Sequence, residues 1–208
     1  MGGMAETPTV GLILAGGLAR RMGGGDKALK PLAGRPILAH VIDRLRGQCD
    51  ALILNANGDP ARLVIFGLPV VADTVPGFAG PLAGVLAGLD WIAAHRPQTE
   101  WLLSVAADTP FIPDDLAMRL HQARSAAGTP LACAASAGRQ HHAIGLWPVA
   151  LREDLRRALT AGERRLGRWT QAHGVTAAQW PSEPLDPFFN VNTPEDLAEA
   201  ERLAAGAN

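Results

Sequence analysis

The chain has 208 residues, 48% of them hydrophobic and 19% charged, with a formal net charge of −1. Such a length and apolar content suit one well-packed core and exclude a disordered chain. The near-neutral balance gives no basis for a nucleic-acid groove or a membrane-binding patch, so any anion site must be local.

The two cysteines, Cys49 and Cys133, lack CxxC spacing and read as free thiols. The opening MGGMAETPT has neither a basic n-region nor an apolar h-region, and no run approaches the roughly 20 apolar residues of a membrane span. The expected organisation is one domain over residues 1–208, with 1–8 as a flexible lead-in, in the cytoplasm.

The first element is an apolar strand, Val10 to Leu14, which stops at Ala15-Gly16-Gly17. Arg20 and Arg21 follow, then Gly23-Gly24-Gly25 and Asp26-Lys27. A buried strand opening into a glycine-rich basic loop suits a phosphate, because glycine lets backbone N–H groups approach an anion and Arg or Lys neutralises its oxygens. With 23 glycines in the chain, a solvated turn is the plainer alternative. The spacing is neither a P-loop nor GxGxxG.

Pro31 to Pro36 reads as a turn, with Pro36 as the first residue of a helix whose apolar face is Ile37, Leu38, Val41, Ile42 and Leu45. Ala51 to Leu54 is a strand ending at Asn55, and a helix-like or loop segment leads to Pro69. Val70 to Ala72 is a short strand closed by Asp73. A second glycine-rich stretch, Gly77 to Gly84, feeds a helix from Leu82 to Ala94. Its Gly80, Gly84 and Gly88 would let it sit tight against a neighbour, at about 1 kcal/mol each relative to Ala. Trp101 to Ala106 is a strong strand ended by Ala107-Asp108-Thr109-Pro110, and a helix runs from Pro113 to about Ala127.

Further strands are expected over Leu131 to Ala135, His141 to Trp147 and Val175 to Trp180, with helices over Ala150–Leu159 and Glu163–His173. The last helix starts from Thr193-Pro194-Glu195-Asp196, with Thr193 as its cap, and runs to about Ala204. This alternation predicts an α/β fold: a single Rossmann-like three-layer domain with a mostly parallel central sheet. Short, uniformly apolar strands agree, since both faces of such a sheet are covered. Four strand ends carry polar or glycine signals, namely Ala15-Gly16-Gly17, Asn55, Asp73 and Asp108. Ligands of open α/β sheets bind outside the carboxyl ends of strands.

Asp108 is the sharpest chemical candidate. One carboxylate beside bound phosphates can hold Mg²⁺, which keeps several waters, although Asp108 could equally cap its own turn. Asp73 could bind a nucleotide, join a metal site or form an Asx-turn, and Asn55 could read a base or sugar or simply turn the chain. The adjacent His141 and His142 would point to opposite faces of a strand, so one solvent-facing and one packed ring is expected, not a metal site. Arg164-Arg165 is either a solvated helix start or a second anion site. Asn190 and Asn192, alternating on a strand end, would share one face toward a polar substrate, or Asn192 could support the helix cap. With no GxSxG, HExxH or Cys–His signature, the pattern favours phosphoryl or nucleotidyl transfer by alignment and charge stabilisation.

The run Leu14 to Lys27, LAGGLARRMGGGDK, resembles the signature loop of the molybdenum cofactor guanylyltransferases, the MobA-type enzymes of the nucleotidyltransferase superfamily. Asn55-Ala56-Asn57, Asp73, Gly80-Pro81-Leu82-Ala83-Gly84, Asp108-Thr109-Pro110, Ala161 to Arg165 and Phe189 to Asp196 have counterparts there in the same order, so the resemblance covers about Thr9 to Leu203. It implies a GT-A-like nucleotidyltransferase fold and the transfer of GMP from GTP to the phosphate of molybdenum-molybdopterin, with release of pyrophosphate. Carried over by position, Leu14, Ala15 and Gly16 would contact the nucleotide through backbone groups, and Lys27 with Arg21 would hold the triphosphate. Asn55 and Asp73 would bind guanosine, Asp108 would ligate Mg²⁺, and Asn190 and Asn192 would lie on the molybdopterin side. Ala106-Ala107 departs from the family, where many members have Cys before the aspartate. Implied partners are GTP, molybdenum-molybdopterin and other proteins that make or accept the cofactor. A CTP-dependent cytidylyltransferase, which usually has LAAG, and a non-catalytic nucleotide-binding partner are the alternatives.

Overall fold

The structure, a computed structural model, describes residues 7–16, 26–75 and 80–206. Residues 1–6 of the expected lead-in, the loop from Gly17 to Gly25 and Pro76 to Ala79 lie outside them. In chain order the strands are β1 (Thr9–Leu14), β2 (Pro31–Leu32), β3 (Arg35–Pro36), β4 (Ala51–Asn55), β5 (Val70–Val71), β6 (Trp101–Ala106), β7 (Leu131–Ser136), β8 (Arg139–Pro148) and β9 (Val175–Gln179). The α-helices are α1 (Ile37–Arg46), α2 (Pro81–His95), α3 (Leu116–Ala127), α4 (Arg152–Thr160), α5 (Leu166–His173) and α6 (Pro194–Gly206).

Seven strands form one sheet in the order β5-β4-β1-β6-β8-β7-β9, and β2 and β3 pair as a separate ribbon. Strands β5, β4, β1 and β6 run parallel. β8 is antiparallel to both β6 and β7, while β9 returns parallel to β7. The α/β fold with a mostly parallel central sheet is therefore as the alternation of elements predicts.

Alternating strand residues divide the core into two layers, because successive side chains point to opposite faces. Ile13, Leu54, Leu103 and Val105 meet Leu38, Val41, Ile42 and Leu45 of α1 and Leu116 and Leu120 of α3. Val10, Leu12, Ile53 and Leu102 meet Leu82, Val85, Leu86 and Leu89 of α2, Leu155 and Leu159 of α4 and Trp169 of α5. Helix α2 is apolar nearly all round, and contact requires glycine at position 84. A Cβ on Gly84 would fall 2.3 Å from Asn55 Oδ1 and 2.6 Å from Leu14 Cδ2. Buried polar residues are served locally: Ser104 Oγ donates to Ala143 O and accepts from Trp147 Nε1, each at 2.8 Å.

Several boundaries differ from expectation for identifiable reasons. Pro36 does not begin α1, since it pairs with Pro31 in the ribbon and leaves Ile37 to start the helix. The stretch before Pro69 is a 3₁₀ helix, Pro60–Phe66, capped by Asp59, whose carboxylate accepts from Ala61 N at 2.9 Å. Helix α3 starts at Leu116 rather than Pro113, after a turn in which Leu116 N donates to Pro113 O. Helix α4 starts at Arg152, after a 3₁₀ turn at Val149–Leu151. Helix α5 starts at Leu166 because Glu163 Oε1 accepts from Arg164 N and Arg165 N, holding Arg165 extended. Helix α6 begins as expected: Asp196 N donates to Thr193 Oγ1, and Thr193 N donates back to Asp196 Oδ2.

Candidate functional site

Strand register places the candidate residues in one row. Val71 pairs with Asn55, Asn55 with Leu14, and Leu14 with Ala106, all at the carboxyl ends of β5, β4, β1 and β6. Three interstrand gaps of about 4.8 Å make a shelf roughly 14 Å long. Asp73 stands at one end and Asp108 at the other. Leu14 is half-buried, Ala15 is buried, and Gly16 is exposed where the described chain breaks off. Ala15 N donates to Asn55 O at 2.8 Å, and Ala107 N to Leu14 O at 3.1 Å, so the ladder continues just past the strands and fixes their ends. Arg21 lies outside the described residues.

At the Asp73 end the polar groups already hold one another. Asn55, 6% exposed, donates from Nδ2 to Asp73 Oδ1 at 3.0 Å and to Val71 O at 3.2 Å. Asn57 Nδ2 donates to Asp73 Oδ2 at 2.8 Å, and Asp73 N donates to Asn57 Oδ1 at 2.9 Å. The closeness of α2 through Gly84 presses on Asn55 from behind. The result is a pre-set carboxylate and amide pair, the donor and acceptor chemistry a base or ribose can use.

At the other end Lys27 Nζ donates to Asp108 Oδ2 and, at 2.9 Å, to Asn192 Oδ1. Asn190 Nδ2 donates to Asp108 Oδ1 at 3.0 Å. Both charged side chains are mostly withdrawn from water, at 15% and 13% exposure. Lys27 opens a 3₁₀ turn, Lys27–Leu29, capped by Asp26, whose Oδ1 accepts from Ala28 N at 3.1 Å. Arg62 Nε donates to the other oxygen of Asp26 at 3.0 Å and ties this turn to the 3₁₀ helix. Leu14, Ala15, Lys27, Ala28, Ala106 and Asp108 line a hollow of about 70 Å³. Asn190 and Asn192 do converge on one place, but not on a strand. Val191 N donates to Asp108 O at 2.9 Å, and the Val191 side chain is buried against Leu32, Ile37 and Ala200.

Ala106 also lines a larger cavity of about 500 Å³, walled by Arg139, Gln140, His141, Phe189, Asn190 and Asn192 among others. The two histidines correct the expectation of one exposed and one packed ring: both are half-buried. Their reading as opposite-facing holds. His141 lies 5.0 Å from the Phe188 ring and bonds Ser136, while His142 packs on Gly167 and lies 3.3 Å from Thr170 Oγ1. Both are covered because β8 lies inside the sheet, with Phe188 against one ring and α5 against the other; the pairing is also irregular here, His141 with Ala134 and Gly145 with Cys133, so residues 142–144 have no partners on β7. Burial pushes both imidazoles below their ordinary value.

Other candidates are placed elsewhere. Arg165 and Arg168 line a hollow of about 480 Å³ between α4 and α5, with Glu163 at its rim. Cys49 and Cys133 are free, and burial pushes their thiols up to about 12 and about 11, which makes them unreactive. Among the described residues no cluster of three or more His, Cys, Asp or Glu could cage a metal, and no helix is long and apolar enough to cross a membrane. Asp26, Arg62, Ser136 and Asp186 were not singled out by sequence, because the pairings Asp26–Arg62 and Ser136–Asp186 join residues far apart along the chain.

Comparison with known proteins agrees with this geometry. The family model of the MobA-like NTP transferase domain matches residues 11–177. A molybdenum cofactor guanylyltransferase of Rhodopseudomonas palustris (strain BisB5) is 63% identical over 203 residues, covering 97% of both chains. Another, of Mesorhizobium japonicum, is 48% identical over 93% of this chain and 94% of its own. Among solved structures, molybdopterin-guanine dinucleotide biosynthesis protein A from Archaeoglobus fulgidus superposes with a TM-score of 0.74, at 20% identity, covering 95% of this chain and 99% of that one. At that identity the likeness speaks for the fold, while the family match and the closer relatives speak for descent. The chain is a nucleotidyltransferase and belongs to the MobA-like NTP transferase family.

Proposed function

We propose that the protein transfers GMP from GTP to the terminal phosphate of molybdenum-molybdopterin, giving the guanine dinucleotide form of the cofactor and pyrophosphate. The observation that carries this reading is the shelf of strand ends, with an amide–carboxylate pair at Asn55 and Asp73 and the Lys27–Asp108 pair at the other end. The guanylyltransferase names of relatives above 60% identity supply the substrate class. An oxygen of the acceptor phosphate forms the new bond to the α-phosphorus, the α–β bridging P–O bond breaks, and pyrophosphate leaves with that electron pair.

On this reading Asn55 and Asp73 bind guanosine, and Leu14, Ala15 and Gly16 present backbone groups to the nucleotide. Lys27, with Arg21 from the loop, binds the triphosphate and stabilises charge on the departing pyrophosphate. Asp108 fits a magnesium site of the kind that uses one carboxylate, phosphate oxygens and water: its carboxylate is rigidly held at a strand end and already has a cation, Lys27 Nζ, as partner. Magnesium bound there with GTP would neutralise phosphate charge. Asn190 and Asn192 face the acceptor, whose site is the cavity beside them. The whole chain, 1–208, works as one domain, in the cytoplasm where GTP is supplied, with proteins that make or accept the cofactor as its partners.

The test is pyrophosphate release with molybdenum-molybdopterin and either GTP or CTP. Release with GTP is expected. A preference for CTP would make the protein a cytidylyltransferase, and GTP binding without release would make it a non-catalytic partner.

A further inference from the structure

In the acceptor cavity one side chain is held with more care than packing requires. His141 Nε2 lies 2.8 Å from Ser136 Oγ, and Ser136 Oγ lies 2.8 Å from Asp186 Oδ1. Ser136 is fully buried, and Asp186 Oδ1 is fixed in turn by Phe188 N at 3.0 Å. This chain of bonds has a direction. A carboxylate only accepts, so the single hydroxyl hydrogen of Ser136 goes to Asp186. Ser136 Oγ must then accept from His141, and the ring hydrogen sits on Nε2. In the neutral ring the other nitrogen, Nδ1, is left as a bare acceptor, and nothing among the described residues bonds it. The ring lines the cavity of about 500 Å³ together with Asn190 and Asn192.

Burial favours the neutral ring here, as noted above. A neutral imidazole with a fixed acceptor is not needed as a base, because a phosphate monoester is already ionised near pH 7. It is suited to reading a donor. The cavity wall at His141 thus asks for an N–H group on whatever enters beside the reacting phosphate.

We propose that His141 is a specificity-determining residue for the second substrate: its Nδ1 accepts a hydrogen bond from a ring N–H or amino group of the acceptor's nitrogen heterocycle, and Ser136 and Asp186 position it. The inference rests on the reading that this cavity takes molybdopterin, whose pterin carries such donors. It assigns a heterocycle subsite to β8, apart from the phosphate end at Asn190 and Asn192.

The test uses the full-length protein with molybdenum-molybdopterin as acceptor, each substrate being varied in turn. His141→Gln can keep a bond to Ser136 but offers nothing at the Nδ1 position. The expected result is an acceptor KM about tenfold higher, the loss of roughly one hydrogen bond, with the GTP KM within about twofold. His141→Asn, whose amide oxygen falls near the Nδ1 position, restores much of that loss. Ser136→Ala, which frees the ring to turn, raises the acceptor KM about threefold. An unchanged acceptor KM in His141→Gln overturns the inference, and so does a parallel rise in both KM values, which marks a packing role. A wild-type protein that releases no pyrophosphate with molybdopterin defeats the proposed function and this inference together. Normal wild-type turnover with an unaffected His141→Gln defeats the inference alone.

Discussion

The contact between Gly84 and Asn55 offers a sharp perturbation, because it joins the packing of α2 to the nucleotide end of the shelf. In Gly84→Ala the new methyl carbon would lie 2.3 Å from Asn55 Oδ1, 2.9 Å from its Cγ and 2.6 Å from Leu14 Cδ2. Overpacking of this kind costs about 1–3 kcal/mol, and the better helix propensity of Ala returns about 1. Asn55 cannot retreat freely, since its Nδ2 is bonded to Val71 O and Asp73 Oδ1. Weakening those two bonds adds about 1 kcal/mol each. The net loss is about 2–4 kcal/mol, or about 4–16 °C in Tm for a chain of this size. The displaced amide also raises the GTP KM about tenfold. Gly88→Ala is the control: its methyl would meet the ends of Leu12 and Leu102 side chains at 3.0–3.2 Å, which can turn aside. It is expected to stay within about 1 kcal/mol of wild type with an unchanged GTP KM. Denaturant unfolding and steady-state kinetics measure both effects. A Gly84→Ala protein with the wild-type midpoint and GTP KM would refute the reasoning.

Asp108→Asn keeps the shape but removes the charge and one of the two acceptor oxygens that Lys27 and Asn190 use, so pyrophosphate release is expected to fall at least about a hundredfold; near-normal release removes Asp108 from the charge-bearing chemistry. Asn192→Ala removes a wall of the acceptor cavity and a partner of Lys27, and is expected to raise the acceptor KM more than the GTP KM. An effect confined to GTP means that Asn192 acts only through Lys27. Burial, with Arg124 nearby, pushes the His121 imidazole down to about 4, from an ordinary value of 6.5. The fold therefore favours the neutral ring, and the stability it contributes is full above about pH 6.5 and lost as pH falls toward about 4. Urea midpoints across that range should fall faster for wild type than for His121→Asn, and parallel curves would clear His121.

What the sequence made legible was what lies within one element and its exit. Val10–Leu14, Ala51–Leu54 and Trp101–Ala106 are almost wholly apolar because both faces of their sheet are covered, and Ala15-Gly16, Asn55 and Asp108 at their exits mark places on the shelf. Thr193 and Asp196 were legible as a helix start because a capping box is closed within four residues. Pairings across long separations were not. Ser136 and Asp186 are unremarkable alone, and only the fold brings β7 and the loop from Pro181 to Pro187 together beside His141 of β8. Asn190 and Asn192 were read as strand neighbours on one face. They do share a direction, but Val191 imposes it by burying between the ribbon and α6, without any strand. What covers each face of β8, Phe188 on one side and α5 on the other, also leaves no local mark, so the packing of both His141 and His142 could not be read from alternation.

The Asn190-Val191-Asn192 segment explains why this site needs both ends of the chain. Asn190 gives an amide hydrogen to the anion, Asp108, and Asn192 gives an amide oxygen to the cation, Lys27. The segment is complementary to an ion pair whose members are 81 residues apart, and it is anchored by Val191 and by the α6 cap. The two charges neutralise each other on the shelf, so neither is left withdrawn from water and unpaired. A triphosphate that draws Lys27 Nζ away from Asp108 takes the donor from Asn192 Oδ1 at the same time. That oxygen borders the acceptor cavity, where a second ligand can satisfy it. On the proposed function, occupation of the nucleotide end would thus be felt at the acceptor end through Lys27 and the amide oxygen of Asn192 that it holds.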